Sequence, residues 1–364
     1  MGQEEQSIDV LAEIIGAQSQ RDPAPLDLLR ELRSGTTSPR DIAQEYGVSY
    51  PTVYRALEPL FEHHLVAESE HEYHLTGLGA AIQYWVDEHL EVTHTDPADL
   101  QFLLRATHRV SILRTLQIGV ARKADLSRGS DAPSRSTAHR TIHSFLERGW
   151  VTRDETAHSY SLTETGTEVL ETLEDATTTV EHARHRAPFL QCFDDAIADI
   201  PLAPLADAQQ ITYDPAMPHR FHELLEPYAR SDVTRLRLLV SVVSSSLLRL
   251  FDIVIQSGVP VEFIVTQRVL ASLGSEGRRG ERIRRRLQRE NCSMGFVPRF
   301  SAFPFWLALF GRETVVMGPA HAGDRPLAVD DRSRAAVVSS DERLIEWAMN
   351  RYESYSDRSQ RLIH

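Results

Sequence analysis

The chain has 364 residues, enough for two or three domains with a sizeable core, and a formal net charge of −13. No apolar run approaches the roughly 18 residues that a spanning helix needs, so no membrane-spanning helix is expected. The two cysteines, Cys192 and Cys292, have no metal-ligand spacing, and the acidic first residues carry no secretion pattern, so free thiols and a cytoplasmic location are expected.

The first residues with helical periodicity are Ile8, Leu11, Ala12, Ile14 and Ile15, followed by a breaker around Pro23 and Pro25. Leu26, Leu28, Leu29 and Leu32 predict a second helix that stops at Gly35. Ser38 caps the next, with Pro39 in its first turn. Tyr50 to His64 predicts a third, in which Pro59 should cause a kink or an early stop. Val66–Glu68 and Glu72–Thr76 alternate about a polar tip, as a small β-wing would, and Leu78 to Leu90 closes the unit as a helix. Three helices and a two-stranded wing predict a winged helix–turn–helix. Its exposed face would offer Tyr50, Thr52, Tyr54 and Arg55.

Shifted by 84 to 87 positions, the same order returns. Leu32, Gly35, Asp41 and Ile42 match Leu116, Gly119, Asp125 and Leu126; Tyr73, Leu75, Thr76 and Gly79 match Tyr160, Leu162, Thr163 and Gly166. The expected helices of this copy are 100–106, 110–116, 123–128 and 134–148, with a wing tip near 153–158. In the last helix Ala138, Ile142, Phe145 and Leu146 share one face. The other carries Ser134, Arg135, Ser136, His139, Arg140 and His143, side chains that bond phosphates and base edges. Arg122, Lys123 and Arg153 would flank it on the turn and the wing.

Charge separates the two copies. Residues 1–98 hold five arginines against 18 acidic residues, whereas residues 99–166 hold ten basic residues against seven acidic ones. A local cationic patch in an acidic chain is the footprint of a nucleic-acid contact. An acidic winged helix suits dimerisation or protein contact, or an extension of the DNA footprint through Tyr50, Thr52 and Arg55. From Thr163 to about Arg186 a further helix is expected, with Val169, Leu170, Leu173, Ala176, Val180 and Ala183 on one stripe. That stripe fits either packing on its own domain or a dimer seam.

Beyond Pro188, composition shifts to buried strands separated by helices: strands at 235–243, 259–266, 294–298, 305–310, 313–317 and 334–338, and helices at 247–256, 280–290 and 341–355. No GxSxG, GxxxxGK[ST], HExxH, CxxC or HxK motif is present, so no enzyme, metal or cofactor is expected. Ser241 and Ser244 stand at the C-terminal end of the first of these strands, where α/β folds place ligands. Arg299, Phe305, Trp306 and Arg312 are candidates to line a pocket for a small-molecule effector; the bland reading of these aromatics is core.

The run Asp125…Ser134-Arg135-Ser136-Thr137…His139-Arg140…Leu146-Glu147, then Tyr160-Ser161-Leu162-Thr163…Gly166, resembles archaeal winged-helix regulators. Leu236–Ser244, Val259–Thr266 and Ser339–Tyr352 are similar to the C-terminal domain of the methanogenesis-regulatory-protein type, with a TrmB-like architecture. The resemblance implies a homodimeric transcription factor whose C-terminal domain senses a small molecule. The expected fold is α+β multidomain: an acidic winged-helix domain at 1–94, a basic one at 95–187, and an α/β sensor-like domain at 188–364. The expected partners are double-stranded DNA, a second copy of the chain and an effector, with no membrane. The rival readings are a protein-bridging factor and a hydrolase in the C-terminal domain.

Overall fold

A computed structural model of the chain describes residues 3–15, 23–35, 38–69, 71–128, 132–213, 233–240, 255–256, 258–274, 291–298, 303–319 and 334–363. Two compact units form: Met1–Leu75 with Gly79–Arg184, and Thr76–Leu78 with His185–His364.

In the first unit one series of elements occurs twice. The first series is α1 (Gln3–Ile15), α2 (Pro25–Ser34), α3 (Pro39–Glu45), α4 (Tyr50–Glu62), the hairpin β1 (Val66–Ser69) and β2 (Glu72–Leu75), and α5 (Gly77–Thr93). The second is α6 (Pro97–Leu104), α7 (Thr107–Ile118), a short strand β3 (Ala121–Arg122), a 3-10 turn (Asp125–Ser127), α8 (Arg135–Glu147), the hairpin β4 (Val151–Asp154) and β5 (Ser159–Leu162), and α9 (Glu164–His185). Both ends of α8 and β4 lie 85 positions after those of α4 and β1, and β5 lies 87 after β2.

The repeated glycines have a packing reason. A Cβ on Gly79 would stand 2.0 Å from the Leu65 carbonyl oxygen, and one on Gly166 would stand 2.1 Å from that of Trp150. Each closing helix therefore rests on backbone where its hairpin begins, and only glycine permits that approach. The left-handed residue that ends the third helix region is His64 (φ 57°) in the first copy and Gly149 (φ 72°) in the second.

Three expectations change. Pro59 does not stop α4, which runs on to Glu62. The donor it lacks would have met the Arg55 carbonyl, on the exposed side where water substitutes. The expected helix at 123–128 shortens to one 3-10 turn. The Asp125 carboxylate accepts the Arg122 backbone N–H at 2.9 Å and pairs with Arg128 at 3.0 Å, and such local bonds compete with helix. The stripe on α9 is core: Val169, Leu170, Leu173, Ala176, Val180 and Ala183 are all buried within one chain. Contacts of α9 run to the first copy and to α7, through Thr172 with Thr95 (3.2 Å), Thr179 with His89 (2.9 Å) and Glu174 with Arg114 (2.9 Å). That stripe is not left over for a partner.

The second unit opens with two short helices, α10 (Ala187–Leu190) and α11 (Leu202–Asp207). Its centre is an eight-stranded sheet of β6 (Gln209–Tyr213), β7 (Leu236–Val240), β8 (Val261–Thr266), β9 (Cys292–Val297), β10 (Phe305–Phe310), β11 (Thr314–Pro319), β12 (Arg334–Ser339) and β13 (Gln360–Ile363). The order is β13-β9-β8-β7-β10-β11-β12-β6. β7, β8 and β9 are parallel neighbours, and every other pairing is antiparallel. One face buries Leu236, Leu238, Val261, Phe263, Trp306, Ala308 and Phe310 in a single core. The helix α12 (Gln267–Gly274) packs on β8 and β9, and α13 (Glu342–Asp357) packs on β7, β10 and β11. Asp341 caps α13 by accepting the Arg343 N–H at 2.9 Å. The hairpin between β10 and β11 turns at Gly311, at φ 63°. Sequence periodicity missed both edge strands, β6 and β13. The expected helices at 247–256 and 280–290 fall wholly or mainly outside the described residues.

Candidate nucleic-acid interface

The sequence builds α8 from its first residue. Ser134 takes an extended conformation, and its hydroxyl accepts the Thr137 N–H at 3.2 Å, satisfying one of the donors a helix start leaves open. Ala138, Thr141, Ile142 and Phe145 are buried. The C-terminal half is anchored by rings: Phe145 lies 5.5 Å from Trp150 and 6.2 Å from Phe102, centroid to centroid. Midway, a ring nitrogen of His108 on α7 meets the Thr141 hydroxyl at 3.2 Å. A helix held at its start, middle and end presents its outer face rigidly.

That outer face carries Ser134, Arg135, Ser136, His139, Arg140 and His143, all exposed. Arg135 and Arg140 have no carboxylate partner among the described residues, and His143 faces Glu147 at 3.5 Å. Arg122 and Lys123 are exposed where β3 turns toward the 3-10 segment, and Arg153 on β4 is exposed beside Glu155 at 3.2 Å. The tip of the β4–β5 hairpin is tight, because the Asp154 carboxylate accepts the Thr156 and Ala157 N–H groups at 2.8 and 3.0 Å. Those two bonds hold the Asp154 carboxyl below its usual range.

The first copy uses the same scaffold with different side chains. By the 85-residue shift, Arg135 corresponds to Tyr50, His139 to Tyr54, His143 to Glu58 and Arg153 to Glu68. Ser49, Thr52 and Arg55 keep the residues found in the second copy as Ser134, Thr137 and Arg140. Tyr50 and Tyr54 are 47% and 49% exposed. The Thr52 hydroxyl is tied to Ser49 at 2.8 Å, and Arg55 folds back on the Pro51 carbonyl at 3.4 Å. Of the first copy's candidates, then, the two rings point freely outward.

His108 was not legible as part of this region, since its own helix shows no polar face aimed at α8. Burial, then the nearby Arg109 and Arg140 charges, lower its proton affinity below the ordinary histidine value.

The aromatic candidates of the second unit do not converge. Phe305 is buried against Trp347 and Tyr355, at 5.8 and 6.5 Å between centroids, on the face that α13 covers. Trp306 lies on the opposite face, in the main core, with its indole over Gly318, where an added Cβ would come within 2.7 Å. Neighbours on a strand point to opposite sides. Arg312 is exposed in the hairpin turn at the far end of β10. Ser241, Ser244 and Arg299 lie outside the described residues. Among the described residues no cluster of three metal-ligating side chains occurs, and no helix is long and apolar enough to cross a membrane.

Comparison with known proteins agrees with the duplication. Residues 20–96 and residues 97–185 each match the HVO_A0261 N-terminal domain, and residues 215–358 match the middle domain of the methanogenesis regulatory protein FilR1. No curated protein matches the chain. One similar solved structure is TrmBL2, described as an archaeal chromatin protein with a novel mode of DNA binding. It is 13% identical over 76% of this chain and 98% of that one, with a TM-score of 0.32. Another is Nuc of Salmonella typhimurium, a phospholipase D family member, 18% identical over 43% of this chain and 98% of that one, also at 0.32. Scores this low mark a loose likeness, and no activity passes to this chain from either.

Proposed function

Because the chain belongs to the regulators that join HVO_A0261-type N-terminal domains to a FilR1-type middle domain, we propose that it is a DNA-binding transcriptional regulator. In this reading both N-terminal copies are winged helix–turn–helix domains, at 1–94 and 95–187. The second copy does the docking, and 188–364 is a sensor domain. The start of α8 enters the major groove, where Ser134, Arg135, Ser136, His139 and Arg140 meet base edges. Arg122, Lys123 and Arg153 take backbone phosphates to either side.

One observation carries the proposal. A helix fully anchored on one side carries Arg135, His139, Arg140 and His143 on the other, both arginines without acid partners among the described residues, while its twin keeps Arg55 in the place of Arg140 and puts Tyr50, Tyr54 and Glu58 at the other three positions. Packing cannot account for the difference, since both copies pack alike.

The protein acts as a dimer in this reading, and since the α9 stripe is internal, the dimer uses another surface. Support for an effector site comes from topology. The sheet order reverses beside β7, whose C-terminal end leads into Ser241, and ligands of such sheets bind at strand C-termini by a reversal point. The effector must bind the DNA-competent and incompetent states with different affinity to regulate anything.

Fluorescence anisotropy with duplex fragments recovered by chromatin immunoprecipitation tests the reading. Wild type should bind, and Arg140→Ala should weaken binding by about tenfold, the loss of a good side-chain contact. Undiminished binding by Arg140→Ala removes that residue from the interface. Partner capture without any duplex binding favours the protein-bridging role.

A further inference from the structure

The face proposed to read DNA was assembled from α8, its preceding turn and the wing. The structure adds a second group of cations beside it. His108, at the start of α7, meets the Thr141 hydroxyl at 3.2 Å, next in sequence to Arg140 on α8. Arg109 follows, with its guanidinium carbon 3.9 Å from the centre of the Phe102 ring and a hydrogen bond to the Phe102 carbonyl. Arg148, just past α8, sits 4.1 Å from the same ring centre. Arg105, at the end of α6, is exposed and held by the Gln101 side chain at 3.2 Å. Four arginines and a histidine thus gather from the junction of α6 and α7 and from α8, which follows some way on in sequence.

Counter-charge is scarce. Asp99 pairs with Arg148 at 2.7 Å. Arg105, Arg109 and Arg140 have no carboxylate partner among the described residues. Burial lowers the Arg109 pKa, and Arg105 and Arg148 lower it further, as expected for like charges held together. Such crowding costs energy that an anion would return.

Folding alone does not require the cluster, as the first copy shows. There, Ala24 and Pro25 stand where the second copy has His108 and Arg109. His63 stands for Arg148 and is paired with Glu13 at 2.5 Å. Arg55 keeps the place of Arg140, but the same helices form without cations at positions 24 and 25.

We propose that Arg105, His108 and Arg109, continuous with Arg140, form a second phosphate-binding shelf for the duplex that α8 reads. The proposal rests on the DNA-facing reading of α8. A strand of phosphates passing along the flank of α8 would supply the missing counter-charge. Contacts of this kind fix register and add affinity without sequence preference.

The test is the salt dependence of duplex binding by the full chain. Arg105→Gln is the first variant, because Arg105 is exposed and its one side-chain bond among the described residues is to Gln101. Its slope of log K against log salt should be shallower than wild type by about 0.9, the value of one phosphate contact. Affinity for target and random duplexes should drop by the same factor. Arg105→Glu should lower both further. Arg40→Gln, removing an exposed cation of the first copy, should leave the slope unchanged. An unaltered slope in both Arg105 variants overturns the shelf, and so does an equal effect from Arg40→Gln. If Arg105→Gln loses binding of inorganic phosphate while its duplex slope holds, the cluster is a small-anion site and the shelf is again overturned. Failure of wild type to bind any duplex fails the parent reading, whereas normal binding with unaltered variants fails the shelf alone.

Discussion

Replacing Gly166 by alanine tests the packing that sets the wing against α8. The added Cβ would lie 2.1 Å from the Trp150 carbonyl oxygen, 2.9 Å from its carbon and 3.1 Å from a Leu162 methyl. Contacts below 3.0 Å essentially never occur, so the helix or the carbonyl must move by nearly an ångström. The carbonyl is not free to move. It accepts the Thr163 N–H at 3.0 Å, and the Thr163 hydroxyl donates to the Gly149 carbonyl at 2.6 Å while accepting the Gly166 N–H at 3.1 Å. Trp150 is itself fully buried among Phe145 and Phe102. Overpacking of about 2–3 kcal/mol, with about 1 kcal/mol for a weakened hydrogen bond, gives about 3–4 kcal/mol. For a unit of this size that is roughly a 10 °C fall in melting temperature. Gly149→Ala is the comparator: nothing lies within 4 Å of its Cβ, and only its φ of 72° is strained, at about 1 kcal/mol. Differential scanning calorimetry on the full chain should show the larger loss for Gly166→Ala, with a parallel loss of duplex affinity. A Gly166→Ala protein that melts within 3 °C of wild type, or above Gly149→Ala, would refute the close-approach argument; "3 °C" here is about 1 kcal/mol.

Two further outcomes are expected. Ser134→Ala removes the cap of α8 and should cost about 1 kcal/mol, with a larger effect on duplex affinity than on melting, read by anisotropy beside calorimetry. His108 has a folded pKa below its unfolded value near 6.5, so its contribution is fully present above pH 6.5 and is lost as the pH falls below it. Chemical denaturation between pH 7.5 and 5.5 should show declining stability in wild type and a flatter profile in His108→Gln; identical profiles would remove His108 as the cause.

Much of the first unit was legible because the sequence presents it twice. Gly79 and Gly166, or Leu57 and Ile142, are ambiguous singly, but in register they mark one scaffold. Apolar periodicity also placed α8 correctly, since Ala138, Ile142 and Phe145 are buried for the reason they recur. Periodicity states that a face is covered and is silent about the cover, which is why the α9 stripe admitted a dimer seam. The edge strands were missed because Gln209–Tyr213 and Gln360–Ile363 pair on one side only and lack a regular alternation. In the proposed effector pocket, nearness in sequence stood in for nearness in space: Phe305 and Trp306 are adjacent, and the strand turns them apart. The cations around Phe102 show the converse, since residues 105, 109, 140 and 148 belong to one surface that spacing alone does not reveal.

The two copies bear on which surface meets DNA. A duplex presents one negative charge per about 1.7 Å of its axis, so any face laid on it must be net cationic or stand away. At four outward positions the second copy has Arg135, His139, His143 and Arg153, and the first has Tyr50, Tyr54, Glu58 and Glu68. Two of those four exchanges put a carboxylate where a duplex would lie, and none adds a cation. Glu62 and Glu72 add to the acid around the same helix and wing, both exposed. Within the proposed function, duplication that kept the glycine contacts and the core while changing the outer charge supports a division of labour, one copy suited to phosphates and the other to protein. The half-exposed rings of Tyr50 and Tyr54 fit the second role, since tyrosine adds apolar contact area with a polar tip and loses little conformational freedom on binding.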